Sequence, residues 1–256
     1  MLPKLLLFDL DGTLLKSDKT ISDFTLNILR EIRKKGTLIG ISTSRSEKNT
    51  LCFLKDLKPD ILIASGGSLV KKGEECIYKA CFSVKETRLM IEQIIELCGR
   101  SCEITVDTLE SHYWNYKVDP NTSQKNWGDS IWTDYRDFEG EALKICVEIF
   151  DEEIAKKLQK KFLHCDSLRF SDGHWYKYTK RGITKEKAMG EVCKYLTLGY
   201  EDIMSFGDDY ADIGMIVSSG YGIAMGNAVP EVKEVADLVI GSNDEDGIAT
   251  YLKTIL

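Results

Sequence analysis

Apolar positions follow two rhythms along this chain. Residues 4–8 carry a continuous apolar run, the pattern of a strand buried on both faces. Phe24, Ile28, Leu29 and Ile32 then recur at helical spacing, with Ser22 placed to cap the helix and Gly36 to stop it. A strand over 37–41, a helix over 46–57 ended by Pro59, and a strand over 61–64 complete the first stretch. That last strand enters a Ser65-Gly66-Gly67-Ser68 turn. The alternation returns after Gly182, with helices predicted over 185–195, 209–217 and 229–236 and from 244 onward. Strands over 203–206, 222–224 and 238–240 fall between them. Such alternation predicts a parallel sheet covered by helices.

The middle reads differently. Ser83-Val84-Lys85-Glu86 is a capping box opening a helix to about residue 98. Residues 103–107 and 112–116 alternate like antiparallel strands, and 115–132 is loop-rich and aromatic. A strand over 143–150, an amphipathic helix over 151–162 and a hairpin of 168–170 with 175–178 around Asp172-Gly173 follow. The expected fold is α/β: a Rossmann-like three-layer core with a mostly parallel sheet from 1–81 and 181–256, interrupted by an inserted α+β unit over 82–180.

Composition narrows the function. The chain has 256 residues, 43% hydrophobic and 29% charged, which fits a globular protein large enough to bury its own core. No apolar run approaches the roughly 18 residues of a membrane span, and Asp9 and Asp11 interrupt the first one too early for a secretory leader. A net charge of −7 argues against nucleic acid or membrane surfaces as partners. The eight cysteines form no C-x-x-C pair, so free thiols in a reducing cytoplasm are expected.

Four strings stand where expected parallel strands end, the place where open α/β sheets bind ligands. Asp9-Leu10-Asp11-Gly12-Thr13 sets two acids directly after an apolar strand, where unpaired charge is costly to bury. A chance D-x-D-G-T in a chain of this length has a probability on the order of 10⁻³. Thr43, Ser44 and Arg45 offer hydroxyls and a guanidinium beside a helix start, which suits an anion. Lys185 heads a helix, where a cation opposes the dipole. Asp208 and Asp212, four apart at another helix start, share one face and supply the oxygens that Mg²⁺ prefers. No Ser-His-Asp, zinc-type or Walker A pattern competes, and Gly-x-Gly-x-x-Gly is absent.

Taken in order, the four strings resemble the motifs of the haloacid dehalogenase-like superfamily, and most closely its Cof-type sugar-phosphatase branch. Gly222-Ile223-Ala224-Met225-Gly226-Asn227-Ala228 and Gly241-Ser242-Asn243-Asp244-Glu245-Asp246-Gly247 are similar to the tail of that branch. The 140 positions from Arg45 to Lys185 match a large cap between the second and third motifs. The resemblance implies a phosphatase for small phosphorylated metabolites. Asp9 would be the nucleophile and Asp11 the general acid and base, with a raised pKa so that it starts protonated. Thr43, Ser44 and Lys185 would hold phosphoryl oxygens. Asp9, Asp11 (through its backbone carbonyl), Asp208 and Asp212 would hold Mg²⁺. Tyr113, Trp114, Tyr116, Trp127 and Trp132 are cap candidates for choosing the substrate. The chain departs from the family pattern at Ser44, Gly66, Glu186 and Ala211, which implies altered specificity. A phosphomutase and a non-catalytic sensor of phosphorylated ligands are the alternatives.

Overall fold

The computed structural model of the chain describes residues 2–54, 56–119, 130–171 and 173–256. In chain order the first elements are β1 (Leu5–Phe8), α1 (Asp23–Lys34), β2 (Leu38–Ser42), α2 (Glu47–Leu51), β3 (Ile61–Ala64), β4 (Leu69–Lys72) and β5 (Glu75–Lys79). Then come α3 (Val84–Cys98), β6 (Ile104–Asp107), β7 (His112–Trp114), β8 (Ile131–Trp132), β9 (Lys144–Glu148), α4 (Glu152–Lys161), β10 (Cys165–Arg169) and β11 (Trp175–Lys180). The chain closes with α5 (Lys185–Leu196), β12 (Ile203–Gly207), α6 (Ile213–Ser218), β13 (Tyr221–Ala224), α7 (Pro230–Val235), β14 (Leu238–Val239) and α8 (Gly247–Ile255).

Among the described residues the strands form two sheets. The larger runs β14-β13-β12-β1-β2-β3-β4-β5 and is parallel from β14 through β3. Its central strands β1, β3 and β12 are buried on both faces, which explains their near-continuous apolar runs. Leu6 and Phe8 of β1 pack with Leu26, Leu29 and Ile32 of α1, whereas Leu5 and Leu7 face Ala188, Met189 and Val192 of α5. The smaller sheet runs β10-β11-β9-β6-β7-β8. One face of it, with Ile104, Val106, Ile145, Val147 and Tyr178, packs on Met90, Ile91 and Ile94 of α3 and Leu158 of α4. This is an α/β core with an inserted α+β cap.

Several elements differ from their sequence expectation. Helix α2 stops at Leu51 instead of 57, and beyond it the amides of Phe53, Leu54 and Leu57 bond to the carbonyls three residues back, Thr50, Leu51 and Leu54, as turns. Phe53, Leu54 and Leu57 then reach the core from turns. Helix 209–217 is split into a 3₁₀ turn, Tyr210–Asp212, and α6. In α1 the buried stripe is Thr25, Leu26, Leu29 and Ile32, leaving Phe24 exposed. The β4–β5 hairpin had no expectation, since Lys71, Lys72 and Glu75 dilute its apolar pattern; charged residues suit a sheet margin. The capping box at Ser83 and Glu86 forms in both directions. Of the expected Asp172-Gly173 turn, Asp172 lies outside the described residues, as does Trp127.

Candidate active site

Strands β1 and β12 pair with Phe8 opposite Phe206, and β1 and β2 with Phe8 opposite Ile41. Asp9, Asp208 and Thr43 therefore leave the sheet at one rim. Carboxylate oxygens of Asp9, Asp208 and Asp212 lie within 4.8 Å of one another. Thr184 caps α5 by accepting from the Lys187 amide at 3.1 Å, which fixes Lys185 as the first helical residue. Its Nζ reaches Asp9 Oδ1 at 2.5 Å and Asp212 Oδ1 at 2.6 Å. The other Asp212 oxygen accepts from the amides of Asp208 and Asp209 at 3.0 and 3.1 Å. Asp208 Oδ1 accepts from Thr13 Oγ1 at 2.8 Å. Gly12, at φ +75°, lets Asp208 approach: a Cβ there would stand 2.2 Å from Asp208 Oδ2.

Three acids face one ammonium in this cluster. Burial pushes the Asp9 pKa well up; Lys185 opposes this, while Asp212 and Asp208 add to it. Burial and the Asp212 charge likewise raise Asp208 to about 7, against the pull of Thr13. Lys185 stays charged above its ordinary range, since Asp212 and Asp9 outweigh the cost of its burial. The surplus of negative oxygen donors fits a hard divalent ion such as Mg²⁺, which would restore the balance. Among the described residues, Asp9, Asp208 and Asp212 are the carboxylates gathered closely enough to hold it.

Asp11 departs from expectation. Its side chain stands outside that cluster and is clamped by Arg45, Nε at 2.5 Å and Nη2 at 2.8 Å, and by Lys19 at 2.7 Å. Partial burial raises its pKa, but the hydrogen bonds and charges of Arg45 and Lys19 prevail and hold it at about 2. The expected elevation is thus reversed, because the guanidinium expected to meet an anion meets this one. Thr43 is buried, and its Oγ1 accepts from the Arg45 amide at 3.1 Å. Ser44 contributes its carbonyl to Lys144 Nζ at 2.5 Å.

The second sheet turns a polar face toward this rim. Asp107, Lys144, Lys177 and Thr179 are buried on the face opposite the α3–α4 packing. Lys144 pairs with Asp107 at 3.0 Å, and Asp107 accepts from Ser65 Oγ at 2.8 Å and contacts His112 Nδ1 at 2.6 Å. These contacts dock the second sheet on the loop after β3. A cavity of about 600 Å³ lies between the two sheets' elements, with Lys177, Thr179, Thr184, Lys185, Tyr210 and Ala211 in its wall. Among the described residues, the cap candidates Tyr113, Trp114, Tyr116 and Trp132 are absent from that wall: Tyr113 packs edge-on to Phe138, Trp114 to Tyr116 and Trp175, and Trp132 is exposed. Sequence reasoning missed Thr13, Asp107, Lys144 and Lys177. The available sign was period-2 alternation in β11, where Tyr176 and Tyr178 oppose Lys177 and Thr179.

A family model for haloacid dehalogenase-like hydrolases matches residues 6–252. The chain belongs to that family, and it is a phosphoric monoester hydrolase. It is 29% identical to the 5-amino-6-(5-phospho-D-ribitylamino)uracil phosphatase YcsE of Bacillus subtilis, over 98% of this chain and 94% of the relative. It is 24% identical to a phosphoglycolate phosphatase of Methanopyrus kandleri, over 98% and 97% of the two chains. Among solved structures, the subclass IIB sugar phosphatase BT4131 superposes with a TM-score of 0.86 at 27% identity, covering 98% of each chain. No helix among the described residues is long and apolar enough to cross a membrane.

Proposed function

We propose that this chain is a Mg²⁺-dependent cytoplasmic phosphatase that hydrolyses small phosphorylated metabolites, sugar phosphates or similar, through an aspartyl-phosphate on Asp9. The observation that carries this is the gathering of Asp9, Lys185, Asp208 and Asp212 from distant parts of the chain around one rim of the sheet. Segment 82–180 serves as the cap, and 1–81 with 181–256 as the catalytic core. Bound Mg²⁺ would neutralise charge between the Asp9 carboxylate and a phosphate dianion, which otherwise repel.

Lys185 holds Asp9 in place and, with Thr43 and Ser44, receives phosphoryl oxygens. Asp9 attacks phosphorus, forming one P–O bond as the ester P–O bond breaks. Asp11 gives the leaving alkoxide a proton. In the second half it takes a proton from water, whose oxygen attacks phosphorus and returns Asp9 as carboxylate. Asp11 is held ionised by Arg45 and Lys19 in this arrangement. Its acid role therefore requires both to let go as substrate enters, so that burial near other negative groups favours the protonated form.

The test is phosphate release from a panel of phosphorylated sugars, nucleotides and vitamins, with Mg²⁺ and with chelator. Wild type is expected to turn over part of the panel only with the metal, and Asp9→Asn to be inactive while folded. Full activity in chelator, or in Asp9→Asn, would sink the proposal.

A further inference from the structure

The core's rim and the cap's polar face bring four basic side chains into burial: Arg45, Lys144, Lys177 and Lys185. Three have carboxylate partners. Arg45 meets Asp11, Lys144 meets Asp107, and Lys185 meets Asp9 and Asp212. Lys177 is only 6% exposed, yet has no hydrogen bond or ion pair among the described residues. Its neighbours make this worse: burial, then Lys185 and Lys144, bring its pKa down to about 8. An ammonium on a mostly buried side chain, facing the cavity near two other cations, is unfavourable unless an anion joins it.

The backbone makes room for it. Gly66 follows β3 at φ +71°, and a Cβ on it would lie 2.9 Å from Lys177 Nζ. Any side chain at 66 would contest the space that the ammonium occupies. The Gly66 amide also donates to the Thr43 carbonyl at 3.0 Å, which sets Lys177 against the Thr43 end of the phosphoryl rim. Lys177 and Lys185 share the wall of the same cavity.

Resting on the phosphatase reading above, we propose that Lys177 is a substrate ligand delivered by the cap, its ammonium over Gly66 taking an oxyanion of the bound ester. That oxyanion belongs either to the phosphoryl group or to a second acid group, a carboxylate or phosphate, on the leaving portion. The residue then selects anionic substrates, and the empty charge it carries in the free enzyme is the cost of that selection.

The experiment compares wild type with Lys177→Met, which keeps length and removes charge, on p-nitrophenyl phosphate and on phosphoglycolate. The expected result is a rise in KM of about tenfold or more, the weight of one charged hydrogen bond, with a Tm equal to or above wild type. Equal loss on both compounds assigns the phosphoryl oxygens, and loss confined to phosphoglycolate assigns the second acid. Unchanged KM on both, or a lower Tm accompanying the loss, overturns the proposal, since the lysine would then be inert or merely structural. If wild type hydrolyses neither these compounds nor any member of the phosphate-ester panel, the phosphatase reading has failed separately. Calorimetric binding of phosphoglycolate to the two proteins then decides: weakening of about tenfold supports Lys177, and equal affinity refutes it.

Discussion

Replacing Asp208 by Asn tests the electrostatics of the rim without changing its shape. Asn keeps an oxygen to accept from Thr13, at 2.8 Å in the wild type, and removes one of three clustered charges. The folded-state pKa of Asp208 lies at about 7, above its ordinary 3.8. Between those values the folded protein binds more protons than the unfolded chain, so metal-free stability falls as pH rises through that window. At about 1.36 kcal/mol per pH unit the full penalty above pH 7 is about 4 kcal/mol. Solvent screening at this partly exposed carboxylate cuts it to roughly 2 kcal/mol. For a chain of this size that is a Tm gain of about 5 °C for Asp208→Asn in chelator at pH 8, shrinking toward zero near pH 4. Saturating Mg²⁺ raises the wild-type Tm by a similar amount, since at about 100 times its Kd a ligand contributes about 2.7 kcal/mol. The variant gives no such response and no turnover. Differential scanning calorimetry across pH, with and without the metal, reads all of this. A metal-free variant that melts below wild type at pH 8, or equal Mg²⁺ responses in both, would refute the reasoning.

Two further substitutions probe the surroundings. Gly12→Ala puts a Cβ where Asp208 Oδ2 lies 2.2 Å away, at a φ of +75° that side chains resist; Mg²⁺-induced stabilisation should vanish along with activity, and a variant retaining both would show the close approach to be dispensable. Lys144→Met strands the fully buried Asp107, whose carboxyl burial alone would raise but Lys144 and His112 hold well below the usual range. The expected loss is about 3 kcal/mol at neutral pH in urea unfolding, a difference from wild type that narrows as acid protonates Asp107. A loss under about 1 kcal/mol would mean that the pair does not brace the cap.

The site was legible in the sequence wherever an acid followed an apolar strand without a turn between them. Asp9 and Asp208 announce themselves because a hydrophobic run delivers charge straight to a buried edge, whereas Asp212, expected beside Asp208 on one helix face, joins it through a 3₁₀ turn and the Asp208 and Asp209 amides. Lys185 needed its partners to stand out from other helix-leading lysines. What stayed hidden depends on contacts between distant segments. Asp11 carries the same string as Asp9, but Arg45 and Lys19 reverse its expected ionisation. Lys144 and Lys177 read as solvent-facing strand residues until the cap sheet docks and that face becomes interior. The aromatic residues drew attention by composition, yet Tyr113, Trp114 and Tyr116 pack on neighbouring rings and Trp132 is exposed. The β4–β5 hairpin escaped because a charged margin carries little apolar rhythm.

The polypeptide passes between cap and core at only two places, residues 80–83 and 181–184. The second passage joins β11, which bears Lys177, to α5, which bears Lys185, with Gly182 at φ +77° between them. Were the smaller sheet to swing about these two straps, it would carry one ammonium away and leave the other anchored. If Lys177 takes an oxyanion of the ester as proposed, such a swing would withdraw that counter-charge while Lys185 stays among the carboxylates of the rim.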